Sequence, residues 1–292
     1  DNTSSNIKEK NDAYVMSNGV VELTISKASG LITDFRMDDK AYFKQLPVPN
    51  FWRAPTDNDF GNGMQVKSNV WRTVGMNTRL KNIQLKNEDG RASVIAELEL
   101  KDVASVLTLE YCLLKDGSLS VDAHYKAGNI DLPEMPRFGM IMTLHNNLQN
   151  LKYYGRGPWE NYQDRNFSSF LGIYNGKVSE QYVPYTRPQE NGYKTDVRWL
   201  TLTDPQGYGI RIEGNQPLGI SVLHNYPYDF DPGLSKKQQH SSDIVFRNEV
   251  VLCVDLAQRG VGGDNSWGAL PHEQYQLKEK EYRYGFLIKI IK

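Results

Sequence analysis

The feature that most constrains the fold is the repetition of short segments in which apolar and polar residues alternate. The stretch YVMSNGVVELTISKASGLITDFRM contains three such segments, separated by Asn18-Gly19 and Ser29-Gly30. Further along, ASVIAELELKDVASVLTLEYCLLKDGSLSVDAHY has Asp116-Gly117 between two more. Alternation with period two indicates strands with one buried face, and Asn-Gly or Asp-Gly pairs favour tight hairpin turns. The sequence therefore predicts antiparallel β-structure.

We expect an all-β fold, a single large antiparallel β-sandwich over residues 13–292. Strand-like segments continue to the end of the chain, no internal repeat is visible, and no change in composition divides it. Many short strands at regular spacing are typical of a sandwich rather than of a parallel α/β fold. Residues 1–12 are polar and are predicted to be a linker. A short helix is predicted at 64–75, and residues 229–240 have room for another helical turn or two.

Charge and hydropathy exclude several classes of partner. The formal net charge is −1 over 292 residues, with acidic and basic residues interspersed. A nucleic-acid-binding protein needs a basic face, and no apolar run approaches the ~20 residues of a membrane span. We therefore expect no nucleic-acid partner and no membrane partner. The sequence does not decide between a cytoplasmic and a periplasmic location.

The residue types that usually form metal or nucleophilic sites are scattered along the chain. Cys112 and Cys253 lie in apolar, strand-like segments and are expected to be buried thiols, with a disulfide between them left open. The five histidines form no HExxH motif and no cluster with cysteine, which argues against zinc. No phosphate-binding loop, dinucleotide fingerprint or serine-nucleophile elbow is present. We expect no metal site in this chain.

Acidic and amide side chains are concentrated in one glycine-containing segment: Asp57, Asn58, Asp59 and Gly61. A calcium-binding EF-hand loop needs Gly at its sixth position and Glu at its twelfth, where this chain has Asn62 and Ser68. We therefore favour a tight turn whose side chains cap backbone N–H groups over a calcium site.

Two carboxylates in GRGPWENYQDR, Glu160 and Asp164, are the right residue types for a glycosidase, which needs an acid and a nucleophile or base. Arginines in the same segment would pair with them and lower their pKa, whereas a general acid needs a raised pKa. We interpret the segment as an ion-paired structural loop. Arg187 and Glu190, in a second polar loop, receive the same interpretation.

Near the end of the chain, GVGGDNSWGALP places Trp267 behind three glycines and several hydrogen-bond acceptors. One interpretation is a core residue that plugs the end of the sandwich. The other is an exposed platform on which a ligand ring stacks. The flanking glycines and acceptors fit the platform better, because a core tryptophan normally lies in an apolar strand. The residues alone still leave the two interpretations close to even.

The segments FWRAPTDNDFGNG, GRGPWENYQDR, PQENG and GVGGDNSW occur in the order and spacing of a known family. From about residue 13 to its end, the chain resembles the C-terminal domain of LacZ-type β-galactosidases of glycoside hydrolase family 2. The resemblance implies a supersandwich like that of galactose mutarotases. It also implies an enzyme that hydrolyses terminal non-reducing β-D-galactose residues, as in lactose, with retention.

In that family the two catalytic glutamates lie in a separate TIM-barrel domain, so the resemblance implies no catalytic residue in this chain. It implies that Trp267 stacks on the sugar in an initial binding mode. The residues implied to position the loop of Trp267 are Gly262, Gly263 and Asp264. A mobile loop near the site is implied for Asp57, Asn58, Asp59 and Gly61, with Gly61 as its flexible position.

The resemblance also implies the partners of the full-length enzyme. These are a β-galactoside substrate, a TIM-barrel domain or large subunit that carries the catalysis, and further copies in an oligomer. Mg²⁺ and Na⁺ are implied for the full-length enzyme, mainly in the barrel, and no cofactor is implied for this chain. The isolated chain is then expected to be inactive.

Two other hypotheses remain open from the sequence. One is a free-standing carbohydrate-binding or mutarotase-like β-sandwich, which as a mutarotase would need a His–Glu pair on a concave sheet. The other is a purely structural domain that supports a barrel and an oligomer interface. The preferred galactoside, and whether the chain is a fused domain or a separate small subunit, also stay open.

Overall fold

The computed structural model describes residues 6–38, 40–88 and 91–292. Strands dominate these residues, as predicted, and the helices are short. The strands are β1 (Asn6–Glu9), β2 (Ala13–Ser17), β3 (Val21–Ser26), β4 (Ile32–Met37), β5 (Lys40–Ala41), β6 (Phe43–Asn50), β7 (Arg79–Glu88), β8 (Arg91–Leu100), β9 (Ser105–Leu113), β10 (Leu119–Lys126), β11 (Arg137–His145), β12 (Asn150–Gly157), β13 (Phe170–Lys177), β14 (Lys194–Thr203), β15 (Gly209–Leu223), β16 (Glu249–Gln258) and β17 (Glu281–Ile291). The α-helices are α1 (Asp57–Asn62), α2 (Met64–Lys67) and α3 (Trp71–Val74).

The strands form two antiparallel sheets. The smaller sheet has the order β1-β2-β3-β4-β5, so neighbours in sequence are neighbours in space. In the larger sheet one path runs β13-β12-β14-β15-β17-β10-β9-β8-β7, and a branch continues from β15 through β16 and β11 to β6. This arrangement confirms the predicted all-β antiparallel fold.

Strand β15 joins the two arms of the larger sheet. Its first part, from Gly209 to Gly214, pairs with β17, and its last part, from Gly219 to Leu223, pairs with β16. Strands that change partner at a bend are a common way to turn the corner of a sandwich. Strand β15 therefore connects the two arms of the larger sheet directly.

The core lies between the layers and follows the alternation seen in the sequence. In β3, for example, Val21, Leu23 and Ile25 are buried while the residues between them are only partly buried. An aromatic cluster fills one part of the core, and its ring centroids are 5.8–6.4 Å apart. It consists of Phe51, Trp71, Tyr125 and Phe138. Cys112 and Cys253 are buried thiols, as expected.

Four local expectations need correction. The predicted linker 1–12 lies partly outside the described residues, but Asn6–Glu9 is strand β1, which pairs with β2 because its backbone matches the free edge of that strand. The single helix predicted at 64–75 is two short helices with a turn between them, and α1 precedes them where we expected only a turn. The range 229–240 contains no α-helix and only the last residue of a 3-10 helix, Pro227–Asp229, while a second 3-10 helix, Ser241–Asp243, follows it.

Candidate functional site: an exposed tryptophan on an anchored loop

The Trp267 side chain projects from the loop that joins β16 to β17. It is 80% exposed, one of the most exposed large apolar side chains of the described structure. A tryptophan that plugged this sandwich would be buried, so the core-plug interpretation is wrong for this chain. Exposing so large an apolar surface costs free energy in a folded protein.

The base of the Trp267 loop is held by three side chains from other parts of the fold. The Arg53 guanidinium donates to the backbone oxygens of Arg259 and Gly260, over 2.6 and 2.9 Å. The Asp164 carboxylate accepts from the backbone N–H groups of Val261 and Gly262, over 3.1 and 2.8 Å. Asn58 Nδ2 donates to the Val261 oxygen over 2.8 Å.

The tip of the loop is organised by its own polar side chains. Asn265 Oδ1 accepts from the backbone N–H groups of Trp267 and Ala269, over 3.1 and 3.2 Å. The exposed Asp264 carboxylate lies 2.9 Å from His272 Nε2. An Asx side chain that satisfies backbone donors in this way stabilises a turn. The backbone at Trp267 is thus held although its ring is free.

The loop glycines differ in how much the packing needs them. A Cβ at Gly263 would lie 2.9 Å from the backbone oxygens of both Ala269 and Leu270, which is too close for a carbon atom. A Cβ at Gly262 would meet only Asp164 Oδ2, at an ordinary contact distance of 3.4 Å. Gly263 therefore lets the two sides of the loop approach each other, whereas the packing at Gly262 has room for a methyl group.

Helix α1, formed by the predicted mobile segment, packs against the tip of the loop. Thr56 caps the helix: its side chain accepts from the Asp59 N–H, and the Asp59 carboxylate accepts from the Thr56 N–H. At Gly61 a Cβ would lie 3.0 Å from the Ser266 oxygen and 3.5 Å from the Trp267 Cα. Gly61 thus lies in a helix at a close contact between two segments. The mobility of this segment stays a prediction.

Asp59 anchors α1 to the interior through two buried arginines. Its carboxylate contacts Arg53 at 2.9 Å and Arg259 at 2.7 Å, and all three side chains are buried. Burial by itself would raise the pKa of Asp59, but the two guanidinium groups and the Thr56 N–H hold the pKa below its ordinary value of 3.8. Neither arginine is apparent as a buried group from the sequence, where the only signal for them is their place beside Pro- and Gly-containing loop motifs.

Asp57, at the exposed start of α1, links that helix to two other loops. Its carboxylate pairs with Arg187 and with Lys236, at 2.9 Å each. Gln189 Oε1 accepts from the Asp57 N–H over 3.0 Å. Because Asn58 and Gly61 also contact the Trp267 loop, the segments 56–62, 187–189 and 260–270 lie close together.

Glu160 and Asp164 both hold loops in place, but only Glu160 does so through the ion pair that was predicted. Glu160 pairs with Arg165 at 2.5 Å, accepts from the Gly192 N–H over 2.7 Å and contacts the Tyr185 hydroxyl. Asp164 is used by backbone donors of the Trp267 loop rather than by an arginine. Both carboxylates are therefore engaged in holding loops together.

A buried polar network lies beneath these loops, and the sequence did not predict it. Arg137 is fully buried, 3.0 Å from Asp255 and 3.4 Å from Glu190. Asp255 lies in β16, where its register partners in β11 and β15 are Gly139 and Gly219. Burial raises the pKa of Asp255 to about 7, against the opposing effect of Arg137. Glu190 accepts from Gln258 over 3.1 Å, which connects this network to Arg53.

Within the described ranges, no group of three or more His, Cys, Asp or Glu side chains has the arrangement of a metal site. Over the same residues, no helix has the length and apolar character needed to cross a membrane.

A family model described as "Beta galactosidase small chain" matches residues 17–288. A protein of Priestia megaterium named "Beta-galactosidase" is 35% identical over 82% of this chain and 23% of its own length. A "Beta-galactosidase" of Lactobacillus delbrueckii subsp. bulgaricus is 34% identical over 90% of this chain and 25% of its own length. The chain therefore spans about a quarter of the curated relatives that it matches.

Among solved structures, a galactose 1-epimerase from Lactobacillus acidophilus superposes with a TM-score of 0.52 at 7% sequence identity. The superposition covers 99% of each chain. At this identity the match shows a shared fold, in agreement with the supersandwich that the resemblance implied, and nothing about activity.

Proposed function

Because this chain belongs to the β-galactosidase small chain family, we propose that it is the C-terminal domain or small chain of a β-galactosidase. In this proposal it contributes Trp267 to a site whose catalytic residues lie in another domain or subunit. The substrate is a terminal β-D-galactoside such as lactose, hydrolysed in the manner of glycoside hydrolase family 2. The isolated chain is inactive.

The observation that carries the proposal is an exposed tryptophan on a loop held from below. The backbone at the start of the loop, residues 259–262, is anchored by Arg53, Asp164 and Asn58, yet the Trp267 ring itself is 80% exposed. A ring presented in this way is pre-organised to contact something outside the chain, and little entropy is lost when it does so. The apolar face of a galactose ring fits such a platform.

The roles of the carboxylates support a catalytic centre outside this chain. Retaining glycosidases use two carboxyl groups about 5–5.5 Å apart, of which one is protonated at the start of the reaction. Glu160 and Asp164 are held by an arginine, a tyrosine and backbone donors. Mg²⁺ and Na⁺, if the full-length enzyme uses them, are assigned in this proposal to the catalytic domain or subunit.

A mutarotase-like function is favoured less by the structure. The described residues do include a His–Glu pair, since His124 Nε2 lies 2.6 Å from Glu281 Oε1. However, the two side chains are 30% and 48% exposed, and Glu281 also pairs with Arg283. A general base that holds an arginine on the open surface of a sheet is poorly placed to exchange protons with an enclosed sugar.

The test is steady-state kinetics of the full-length enzyme, or of the complex with a large chain, on lactose. Trp267→Leu is expected to raise KM by about 5-fold, the effect of losing roughly 1 kcal/mol of ring stacking. Trp159→Leu is the matched control, because Trp159 is also exposed on a loop of this chain, at 71%. Equal KM values for wild type and Trp267→Leu would contradict the stacking role, and turnover of a chromogenic galactoside by the isolated chain would contradict the placement of catalysis elsewhere.

A further inference from the structure

The largest cavity among those described lies on a different part of the sandwich from the Trp267 loop. Its volume is about 720 Å³, which is within the range of small-molecule sites. Its walls come from β6, from helix α3 with the residues that follow it, and from the segment 226–237. It shares no lining residue with the two smaller cavities beside the Trp267 loop.

One wall of this cavity presents aromatic rings. Tyr226 and Tyr228 stack on each other, with centroids 4.8 Å apart and planes within 9°. The Arg247 guanidinium lies 5.2 Å from both ring centroids, which holds the pair in place. Tyr228 is 58% exposed, so part of its ring remains available for a ligand.

A second wall is a rigid polar cluster around Asp231. Its carboxylate accepts from Trp52 Nε1 over 2.8 Å and from the Gly233 N–H over 2.9 Å, and it pairs with Arg72. The Arg72 guanidinium lies 4.4 Å from the Trp52 ring. Because these charges compensate each other, the wall is polar without a strong field of one sign.

Four polar side chains of the lining make no hydrogen bond to other described residues, and three of them are exposed to solvent. They come from different walls and are Gln45, Thr73, Thr78 and Lys237. Between them lie apolar side chains, including Val48 and Ile141. An apolar peptide segment seated here would leave these polar groups without partners, which is unfavourable where water is displaced.

We propose that this cavity is a binding site for a neutral sugar of one or two pyranose units. A pyranose has apolar faces that suit the Tyr228 ring, and hydroxyl groups around its edge that suit donors and acceptors on several walls. Sugar hydroxyl groups can replace the water molecules that an apolar ligand would displace from these exposed polar side chains. The site does not depend on the proposed function, because none of its residues takes part in holding the Trp267 loop.

The test measures binding of D-galactose, D-glucose, lactose and cellobiose to the 292-residue chain by saturation-transfer NMR and titration calorimetry. At least one sugar is expected to bind with a millimolar or tighter dissociation constant and to change the tryptophan fluorescence, since Trp52 and Trp71 line the cavity. Tyr228→Ala is expected to weaken binding about 5-fold, as the loss of one ring contact. Gln45→Ala is expected to weaken the binding of the same sugar.

The matched control is Tyr208→Ala, which removes an exposed aromatic ring elsewhere and should leave the affinity unchanged. Circular dichroism and a cooperative thermal transition verify that each variant is folded, and Gln45→Ala decides the question if Tyr228→Ala fails to fold. The proposal is overturned if none of the four sugars binds, or if Tyr228→Ala and Gln45→Ala both leave the affinity at its wild-type value, which would place the bound sugar elsewhere on the chain. Failure of the Trp267 kinetics would leave this result unaffected.

Discussion

The Asp164 carboxylate holds the backbone at Gly262, whose N–H group donates to Asp164 Oδ2 over 2.8 Å. A second bond runs from the Val261 N–H to Asp164 Oδ1 over 3.1 Å. Asp164 is thus a positioning residue that acts on Trp267 through the backbone between them. This contact joins two motifs that are about a hundred residues apart in the sequence.

Asp164→Ala is expected to release the base of the Trp267 loop. Two backbone donors lose a charged acceptor, and such a loss costs roughly 1–3 kcal/mol when the donors are shielded from water. In the full-length enzyme we expect KM for lactose to rise with a smaller change in kcat. Hydrogen exchange at Val261 and Gly262 measures the loosening directly. If exchange there stays at the wild-type rate, the anchoring role is wrong.

Gly263→Ala is expected to distort the loop, whereas Gly262→Ala is expected to be tolerated. A Cβ at Gly263 would lie 2.9 Å from two backbone oxygens, and one at Gly262 would make only a 3.4 Å contact. The resemblance gave both glycines the same positioning role, so this pair tests the packing argument. Comparison of KM and melting temperature for the two variants is sufficient. A larger effect of Gly262→Ala than of Gly263→Ala would contradict the packing argument.

Gly61→Ala is expected to have opposite effects on the helix and on the loop. Alanine favours a helical conformation over glycine by about 1 kcal/mol. Its Cβ, however, would lie 3.0 Å from the Ser266 oxygen, so the tip of the Trp267 loop must shift by a few tenths of an ångström. We expect an unchanged or slightly raised melting temperature together with an altered KM. A strongly lowered melting temperature with wild-type KM would show that the contact matters only for stability.

Asp59→Asn is expected to remove stability at neutral pH and to lose its effect in acid. The folded-state pKa of Asp59 lies below the unfolded value of 3.8, so its ionised form stabilises the fold above pH 3.8. That contribution disappears as the pH falls through the folded-state pKa. Breaking a buried ion pair typically costs about 3–5 kcal/mol.

The measurement for Asp59→Asn is chemical unfolding at pH 7 and at successively lower pH. The difference between wild type and variant should be large at pH 7 and should shrink below pH 3.8. Asp57→Asn serves as the control, because its carboxylate is half exposed and its removal should cost far less. A pH-independent difference for Asp59→Asn would mean that shape rather than charge is lost.

Asp255→Asn is expected to show the opposite pH dependence. Burial raises the pKa of Asp255 to about 7 from its ordinary 3.8, so the folded state holds a proton that the unfolded state has lost. The contribution of this group to stability is therefore greatest below pH 3.8 and falls as the pH rises to about 7. Chemical unfolding is measured at pH 5 and pH 8. The free energy of unfolding of the variant, relative to that of wild type, should be higher at pH 8. If the variant does not become more stable relative to wild type at the higher pH, Asp255 does not hold this proton in the folded state.

Much of the fold could be predicted from the sequence because its signals are local. Alternation in β3 reports which face is buried, and Asn18-Gly19 marks a turn that only a few backbone conformations can make. The short helix at Asp57–Asn62 was missed because its apolar pattern is too short to show a helical period. Its real signal was a capping box, with Thr56 followed three residues later by Asp59.

The candidate site was predictable only in part. The motif around Trp267 was visible, and so was the structural role of Glu160. The buried arginines were not, since Arg53, Arg137 and Arg259 look like surface residues in a sequence. Their partners lie up to about two hundred residues away, and no periodicity links them.

The sequence by itself determined the strand pattern, the turns and the loops in which unusual residues collect, because these depend on each residue and its near neighbours. Only the tertiary structure decided that Asp164 holds the Trp267 loop, that Gly61 and Gly263 are sites of close packing, and that the Trp267 ring is exposed. Those outcomes depend on which distant segments meet. Long-range strand pairing decides that, by bringing 56–62, 160–165 and 260–270 close together.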